Sequence, residues 1–303
     1  LLQSVAEGST LYRFKPDAGP CGLEKIGAVE MPEDFRGYLA VGHEQVAAKS
    51  RANGRAYIHV RDAKGGATEL AGMESRGTKS LTWLDDTHLA MVSYGDEHPS
   101  IAFFSMERPD IVLDMPVPDR GDFFEIHILP GLDHAAFLVR TRTYGVNRIE
   151  RVDFNQTWAQ LFETAEDRPE RTRELEEGEE PPAEGEGEPS VRLIDPATDL
   201  TVTPVVEIDA GMKPYDLSPD GKWVAYSSFF EDGKKEIHLV AVPDKGGSVA
   251  TPITVTSDDL YDRDPVFSRD GKRLYWRTEH PLGKTEGKLF SARAIELSEV
   301  LGK

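Results

Sequence analysis

The sequence predicts an all-β fold of the β-propeller class, built of four-stranded blades. Three observations predict it. A strand, tight turn, strand module occurs twice at an offset of 50 residues: Pro214-Tyr-Asp-Leu-Ser218-Pro-Asp220-Gly221-Lys222-Trp-Val-Ala-Tyr226 and Asp264-Pro-Val-Phe-Ser268-Arg-Asp270-Gly271-Lys272-Arg-Leu-Tyr-Trp276. Short apolar runs broken by Gly, Pro, Asp and Asn fill nearly the whole chain, and the one helical pattern is a turn or two in the tail, over 295–301. Further strands follow each module, which gives four strands in a unit of roughly 40–50 residues, the size of a propeller blade.

The module has a local physical logic. The Ser218 and Ser268 hydroxyls can hydrogen-bond back to the turn backbone, and Asp-Gly supplies the positive φ that a tight hairpin requires. Apolar residues alternate over 223–226 and 274–276, so one strand face is buried, with Trp83, Trp223 and Trp276 as core residues. Weaker copies begin at Ser80 (turn Asp85-Asp86-Thr87-His88), at Phe124 (turn Pro130-Gly131) and at Tyr38. Third strands are predicted over 56–61, 101–105, 148–154, 236–241 and 289–294, and fourth strands over 67–70, 111–114 and 252–256.

The N-terminal segments 11–15 and 23–29 read as the third and fourth strands of a blade. The last module, from Asp262, shows three strands and no fourth. Together they predict a ring closed by N-terminal strands completing the C-terminal blade, with one strand left over. Six blades are the simplest count. Seven result if 191–195 and 201–208 belong to a blade of their own instead of closing the interrupted unit. The chain is read as a single propeller domain, 1–303, with an acidic disordered insert at 163–190. That insert holds twelve acidic and three basic residues and too few apolar ones to bury a core.

The 303 residues carry a net charge of -19. Such a surface repels phosphate backbones, so nucleic acid is excluded as a partner. No window approaches the ~18 apolar residues of a membrane-spanning helix. The single cysteine, Cys21, leaves no intramolecular disulfide and reads as a loop thiol. A chain that opens on Leu1 reads as a processed product from which any signal peptide or lipid anchor has been removed.

The stretch Leu217-Ser218-Pro-Asp-Gly-Lys222-Trp-Val-Ala-Tyr-Ser227, with its copy Pro265-Val-Phe-Ser-Arg-Asp-Gly-Lys-Arg-Leu-Tyr275, resembles the repeat of the TolB-like (WD40-like, PD40) propellers. The match is specific over 212–280, and the copies in 36–162 share only the strand-turn-strand shape. The resemblance implies a bladed propeller of one of two kinds. One is a periplasmic or secreted scaffold that binds other proteins. The other is the non-catalytic propeller of a serine peptidase of the prolyl-oligopeptidase or tricorn type. TolB itself has an α/β domain ahead of its propeller, and no such domain is visible here.

Catalytic signatures are absent. There is no Gly-x-Ser-x-Gly elbow and no Walker-type glycine loop. The eight histidines, at 43, 59, 88, 98, 127, 134, 238 and 280, form no His-x-x-x-His pair, and His43, His88 and His134 read as solvent-facing turn residues. Asp220 and Asp270 lack the neighbouring oxygen ligands of a calcium loop, and Asp258, Asp259, Asp262 and Asp264 read as a solvated loop with turn-capping aspartates. No catalytic residue, cofactor or metal is therefore assigned. The expected function is a binding scaffold for another protein or peptide, periplasmic or extracellular and compatible with a membrane-associated complex. Its partner-binding candidates lie where the innermost strands begin: Lys79, Phe123, Phe124, Tyr215, Asp216, Arg263 and Asp264. The alternatives are an accessory peptidase propeller and a propeller lyase or glycosidase with its catalyst in the channel.

Overall fold

The computed structural model describes residues 2–5, 8–14, 23–29, 39–42, 45–52, 55–62, 66–74, 77–94, 99–116, 122–143, 145–170, 190–208, 215–229, 235–258, 260–281 and 288–302, with the backbone alone over 2–39 and at the margins of several strands. Cys21, His43, His98 and Asp259 lie outside the described residues. The chain divides into two compact units, Leu1–Pro118 with Trp158–Pro196 and Asp119–Thr157 with Ala197–Lys303. Both are built of successive, mainly antiparallel sheets, a propeller-like all-β organisation.

The first unit holds three sheets. β1 (Leu2–Val5), β2 (Gly8–Phe14) and β3 (Leu23–Val29) form the first, and β4 (Leu39–Gly42), β5 (Gln45–Ala52), β6 (Arg55–Asp62) and β7 (Ala67–Glu74) the second. β8 (Gly77–Trp83), β9 (His88–Tyr94), β10 (Pro99–Ser105) and β11 (Ile111–Pro116) form the third. Ala47, Ile58 and Leu70 of the second sheet pack against Leu81, Leu89, Met91 and Phe104 of the third. The predicted N-terminal strands 11–15 and 23–29 fall on β2 and β3. The unforeseen β1 gives β2 a second partner, and the three pair with one another as a sheet of their own.

The second unit holds a four-stranded sheet and a seven-stranded one, and the two halves of the latter, joined by a single parallel bridge, count as a fifth and a sixth sheet. The fourth contains β12 (Asp122–Ile128), β13 (Ala136–Thr143) and β14 (Val146–Phe154). After β14 the chain crosses into the first unit and makes helix α1 (Trp158–Glu163), a 3-10 turn (Ala165–Asp167) and β15 (Ser190–Leu193), then returns as β16 (Leu200–Ile208). β16 pairs antiparallel with β14 and closes the fourth sheet. β15 pairs in parallel with β11, as a fifth strand of the third sheet. The two segments therefore serve different sheets.

The excursion corrects the predicted start of the acidic insert. Trp158, Leu161 and Phe162 recur at helical spacing and are buried. Trp158 packs on Phe103 with ring centroids 5.4 Å apart, and Ala165 is buried. Arg108 holds Glu166 at 2.8 Å, and Glu170 bridges to Arg192. Residues 163–170 thus belong to the fold, because they continue from the buried face of α1 and are held by Ala165, Arg108 and Arg192. Residues 171–189 lie outside the described residues.

β17 (Asp216–Leu217), β18 (Trp223–Phe229), β19 (Lys235–Ala241) and β20 (Ile253–Thr254) form the fifth sheet, and β21 (Tyr261–Phe267), β22 (Arg273–Pro281) and β23 (Lys288–Glu296) the sixth, followed by helix α2 (Leu297–Leu301). One parallel bridge, Lys235 to Tyr261, links the two. Their turns are superimposable in chemistry. Ser218 Oγ donates to Asp220 Oδ1 at 2.7 Å and accepts from the Trp223 amide at 2.9 Å. Ser268 Oγ donates to Asp270 Oδ1 at 2.6 Å and accepts from the Arg273 amide at 2.9 Å. Gly221 and Gly271 take φ of 72° and 67°, the left-handed values the turn requires. The fifth sheet is buried on both sides. Val224, Tyr226 and Val240 face Leu129, Ala136 and Leu138 of the fourth, while Ala225, Ile237 and Leu239 face Phe267, Leu274 and Trp276 of the sixth.

Candidate binding surface

The sixth sheet packs one face on the fifth, and described side chains of its other face are exposed. Along β22 the burial alternates with period two: Leu274, Trp276 and Thr278 are buried, and Arg273, Tyr275 and Arg277 are exposed. The cross-strand register continues the open face through Tyr275 opposite Val266 and Ala294, and Arg277 opposite Ala292. Of the exposed large apolar side chains among the described residues, Val266, Tyr275, Leu289 and Phe290 all lie on this sheet.

Two cations frame an aromatic ring there. The guanidinium of Arg263 lies 5.4 Å, and that of Arg277 5.0 Å, from the centroid of the Phe290 ring, which is 43% exposed. Arg263 and Arg277 are cross-strand neighbours, so their like charges would repel without compensation. Each has a carboxylate. Arg263 Nη2 donates to Glu279 Oε2 at 2.9 Å, and Arg277 Nη2 lies 2.5 Å from Asp264 Oδ2. The arrangement is neutral overall, and it holds Phe290 in one orientation through cation–π contacts of about 0.5–1 kcal/mol each at an exposed site. Asp264 sits in a register shift between Arg263 and Val266 and takes φ of 56°, the one positive φ outside glycine among the described residues. Aspartate tolerates this region better than most residues, and the bulge turns the Asp264 carboxylate towards Arg277.

Behind this face the carboxylates do different work. Asp262, expected in a solvated loop, is fully buried and accepts from Thr278 Oγ1 at 2.5 Å. Alternation along β21 turns it inward, which corrects that expectation. Asp258 does cap its turn, accepting from the Leu260 amide at 3.1 Å, and pairs with Arg293 at 2.5 Å. Partial desolvation works against its ionisation, but the Arg293 bond holds its carboxyl below the ordinary value.

The other candidates separate. Asp216 Oδ2 accepts from the Phe267 amide at 2.7 Å and so ties the start of the fifth sheet to the sixth. Tyr215 is only 3% exposed, and its hydroxyl donates to the Leu138 carbonyl at 3.0 Å. It is a core residue with no surface to offer a partner, and its place among the binding candidates is corrected. Lys79, Phe123 and Phe124 fall within β8 and β12, and their side chains lie outside the described residues.

The turn histidines diverge from expectation as well. His88 is 3% exposed, stacks on Phe162 at 5.3 Å, and its Nδ1 lies 2.9 Å from both Asp85 carboxylate oxygens. Helix α1, invisible to a local reading of the turn, covers it. Burial opposes ionisation of Asp85, but bonds from His88 and Thr87 win and hold its pKa at about 2. His134 is partly exposed and lies between Asp153 and Asp133, each at 2.8 Å, which raises its pKa, the Asp153 bond most. His127, on β12, packs against Tyr215 at 4.4 Å, and burial lowers its pKa to about 4.

The succession of sheets can be compared with solved structures. The chain superposes on a putative TolB from Agrobacterium tumefaciens with a TM-score of 0.52 and 13% identity, over 96% of this chain and 85% of that one. Its fold is that of the TolB-like propellers. TolB from Acinetobacter baumannii aligns with a TM-score of 0.49 and 15% identity over 94% of this chain and 56% of that one, and the tricorn protease with 0.49 and 17% over 95% and 25%. No family model matches the sequence. Among curated proteins, the dipeptidyl-peptidase 5 of Aspergillus oryzae and the probable dipeptidyl-peptidase 5 of Aspergillus flavus are 37% identical over 79 residues. That stretch is 22% of this chain and spans 11% of those relatives' length. No helix among the described residues is long and apolar enough to cross a membrane.

Proposed function

We propose that the chain is a non-catalytic, periplasmic or secreted scaffold of the TolB-like type that binds another protein or peptide, and that the open face of the sixth sheet is its principal contact surface. The observation that supports this reading is Phe290 held between Arg263 and Arg277 beside exposed Tyr275 and Val266. Aromatic and arginine side chains are the commonest interface hot spots, and a ring already fixed in place loses little conformational freedom on binding. Arg263 and Asp264 are part of this surface, and Lys79, Phe123, Phe124 and Asp216 remain rim candidates. In this reading the six sheets are six blades, the N-terminal sheet being a blade in its own right.

The test is affinity capture from an extract of the native host with the tagged chain and with an Arg263→Ala/Phe290→Ala variant, after circular dichroism shows that the variant folds. The reading expects a partner retained by the parent and lost by the variant. A partner retained equally by both removes the sixth sheet from the interface. A second reading rests on the 79-residue match to the dipeptidyl-peptidases: the chain is the accessory propeller of a serine peptidase, positioning peptides for a catalytic domain. Binding of short peptides with no protein captured would favour it.

A further inference from the structure

The sixth sheet ends at its third strand, whose counterparts in the second to fifth sheets are covered. Their third strands are flanked by a fourth, β6 by β7, β10 by β11, β14 by β16 and β19 by β20. β23 pairs with β22 along all nine residues, and no described strand lies on its other side. Leu289 is 55% exposed there, beside exposed Phe290, Ala292 and Ala294. A long, apolar edge strand offers unpaired amides and carbonyls as a template for another strand.

We propose that the edge of β23 pairs antiparallel with β23 of a second copy of this chain, which makes a two-fold dimer with a continuous sheet. The sequence of the strand, Lys288-Leu-Phe-Ser-Ala-Arg-Ala-Ile-Glu296, is complementary to its own reverse when the axis passes through Ala292. Lys288 then stands opposite the second copy's Glu296, Leu289 opposite its Ile295, Phe290 opposite its Ala294, and Ser291 opposite its Arg293. Opposite charges, apolar pairs and a large residue against a small one are the pairs that stabilise antiparallel strands. A residue paired with its counterpart across an axis is the signature of an isologous interface. The two Arg293 side chains become diagonal neighbours, and each already has a carboxylate of its own in Asp258 at 2.5 Å. A slip of two residues sets Arg293 directly against Arg293 and Phe290 against Glu296, so the charge pattern selects the register. Tyr275, on the neighbouring strand, stays free, whereas Phe290 borders the contact.

Ala292 is exposed, so its replacement tests the pairing without disturbing the core. The experiment is sedimentation equilibrium on the full chain and on Ala292→Lys and Ala292→Glu, separately and mixed, with amide hydrogen exchange on β23. The expected result is a parent dimer with protected β23 amides. Each variant alone should dissociate at least about ten-fold more readily because like charges meet on the axis, and the mixture should re-form dimers. A parent that is monomeric at every concentration overturns the proposal, with β23 protected or not. So does a dimer that neither substitution weakens.

Discussion

The fifth and sixth sheets share one turn and differ in what covers them. In both, a serine hydroxyl bridges an aspartate and the amide five residues on, and a glycine at φ near 70° closes the hairpin. The strands that follow have opposite fates. Ala225 in the fifth sheet and Tyr275 in the sixth occupy the same position of the repeat. Ala225 is sealed under Phe267 and Trp276, whereas Tyr275 faces solvent. Their cross-strand partners follow suit, Leu239 buried and Ala294 exposed. The repeat therefore sets turn and register, and the neighbouring sheet decides which face becomes core and which remains available for binding.

The largest expected effect breaks this comparison directly. Leu239→Ala should cost about 2–5 kcal/mol of stability by leaving a cavity between the sheets. Tyr275→Ala should change stability by no more than ~1 kcal/mol, since its exposed side chain supports little. Chemical denaturation of the two variants checks this, and equal losses would show that the sixth sheet is covered after all.

The glycines come next. Gly221→Ala and Gly271→Ala both place a side chain in the left-handed region, at about 1–2 kcal/mol. A Cβ at Gly221 would also lie 2.8 Å from Pro130 Cδ, whereas the nearest atom at Gly271, Pro219 Cδ, is 3.7 Å away. The Gly221 variant should thus be less stable by a further ~1 kcal/mol or more. Urea midpoints of the pair would show it. The serines differ less. Ser218 is buried, so Ser218→Ala leaves the Trp223 amide without its partner at about 1–3 kcal/mol, whereas water can replace the hydroxyl of half-exposed Ser268 and reduce the loss to ~1 kcal/mol.

The smallest effect is a pH dependence shared by both turns. Asp220 and Asp270 are held below the ordinary value of 3.8, chiefly by the Ser218 and Ser268 hydroxyls. A lowered folded-state pKa adds stability above pH 3.8 that fades as pH falls below it. The Ser218→Ala and Ser268→Ala variants should therefore differ from the parent less at pH 3 than at pH 7. A difference that grows in acid would contradict the hydrogen bonds described.

Much of this was legible in the sequence because it is local. The Asp-Gly turns, the third strands and the burial of Trp83 and Trp276 follow from residue spacing alone. What escaped depends on segments that meet from far apart. His88 looked like a surface turn residue because its cover, Phe162, lies 74 positions on in the excursion. Tyr215 looked like a rim residue because its acceptor, the Leu138 carbonyl, belongs to another sheet. The parallel pairing of β15 with β11 bypasses the sheet its chain had just left. The clamp around Phe290 was half visible: Arg263 and Asp264 stood out at a strand start, but Arg277 and Phe290 join them only through the register of β21, β22 and β23.

The central claim is that binding uses the open face of the sixth sheet, and the most direct measurement compares two equally exposed apolar sites in one unit. Affinity for the captured partner should fall at least ten-fold in Tyr275→Ala/Phe290→Ala, about 1.4 kcal/mol. It should stay unchanged in Leu132→Ala/Val202→Ala, whose side chains are exposed on the fourth sheet and its turn. Equal affinities for the two variants, or a loss confined to the second, would contradict the account.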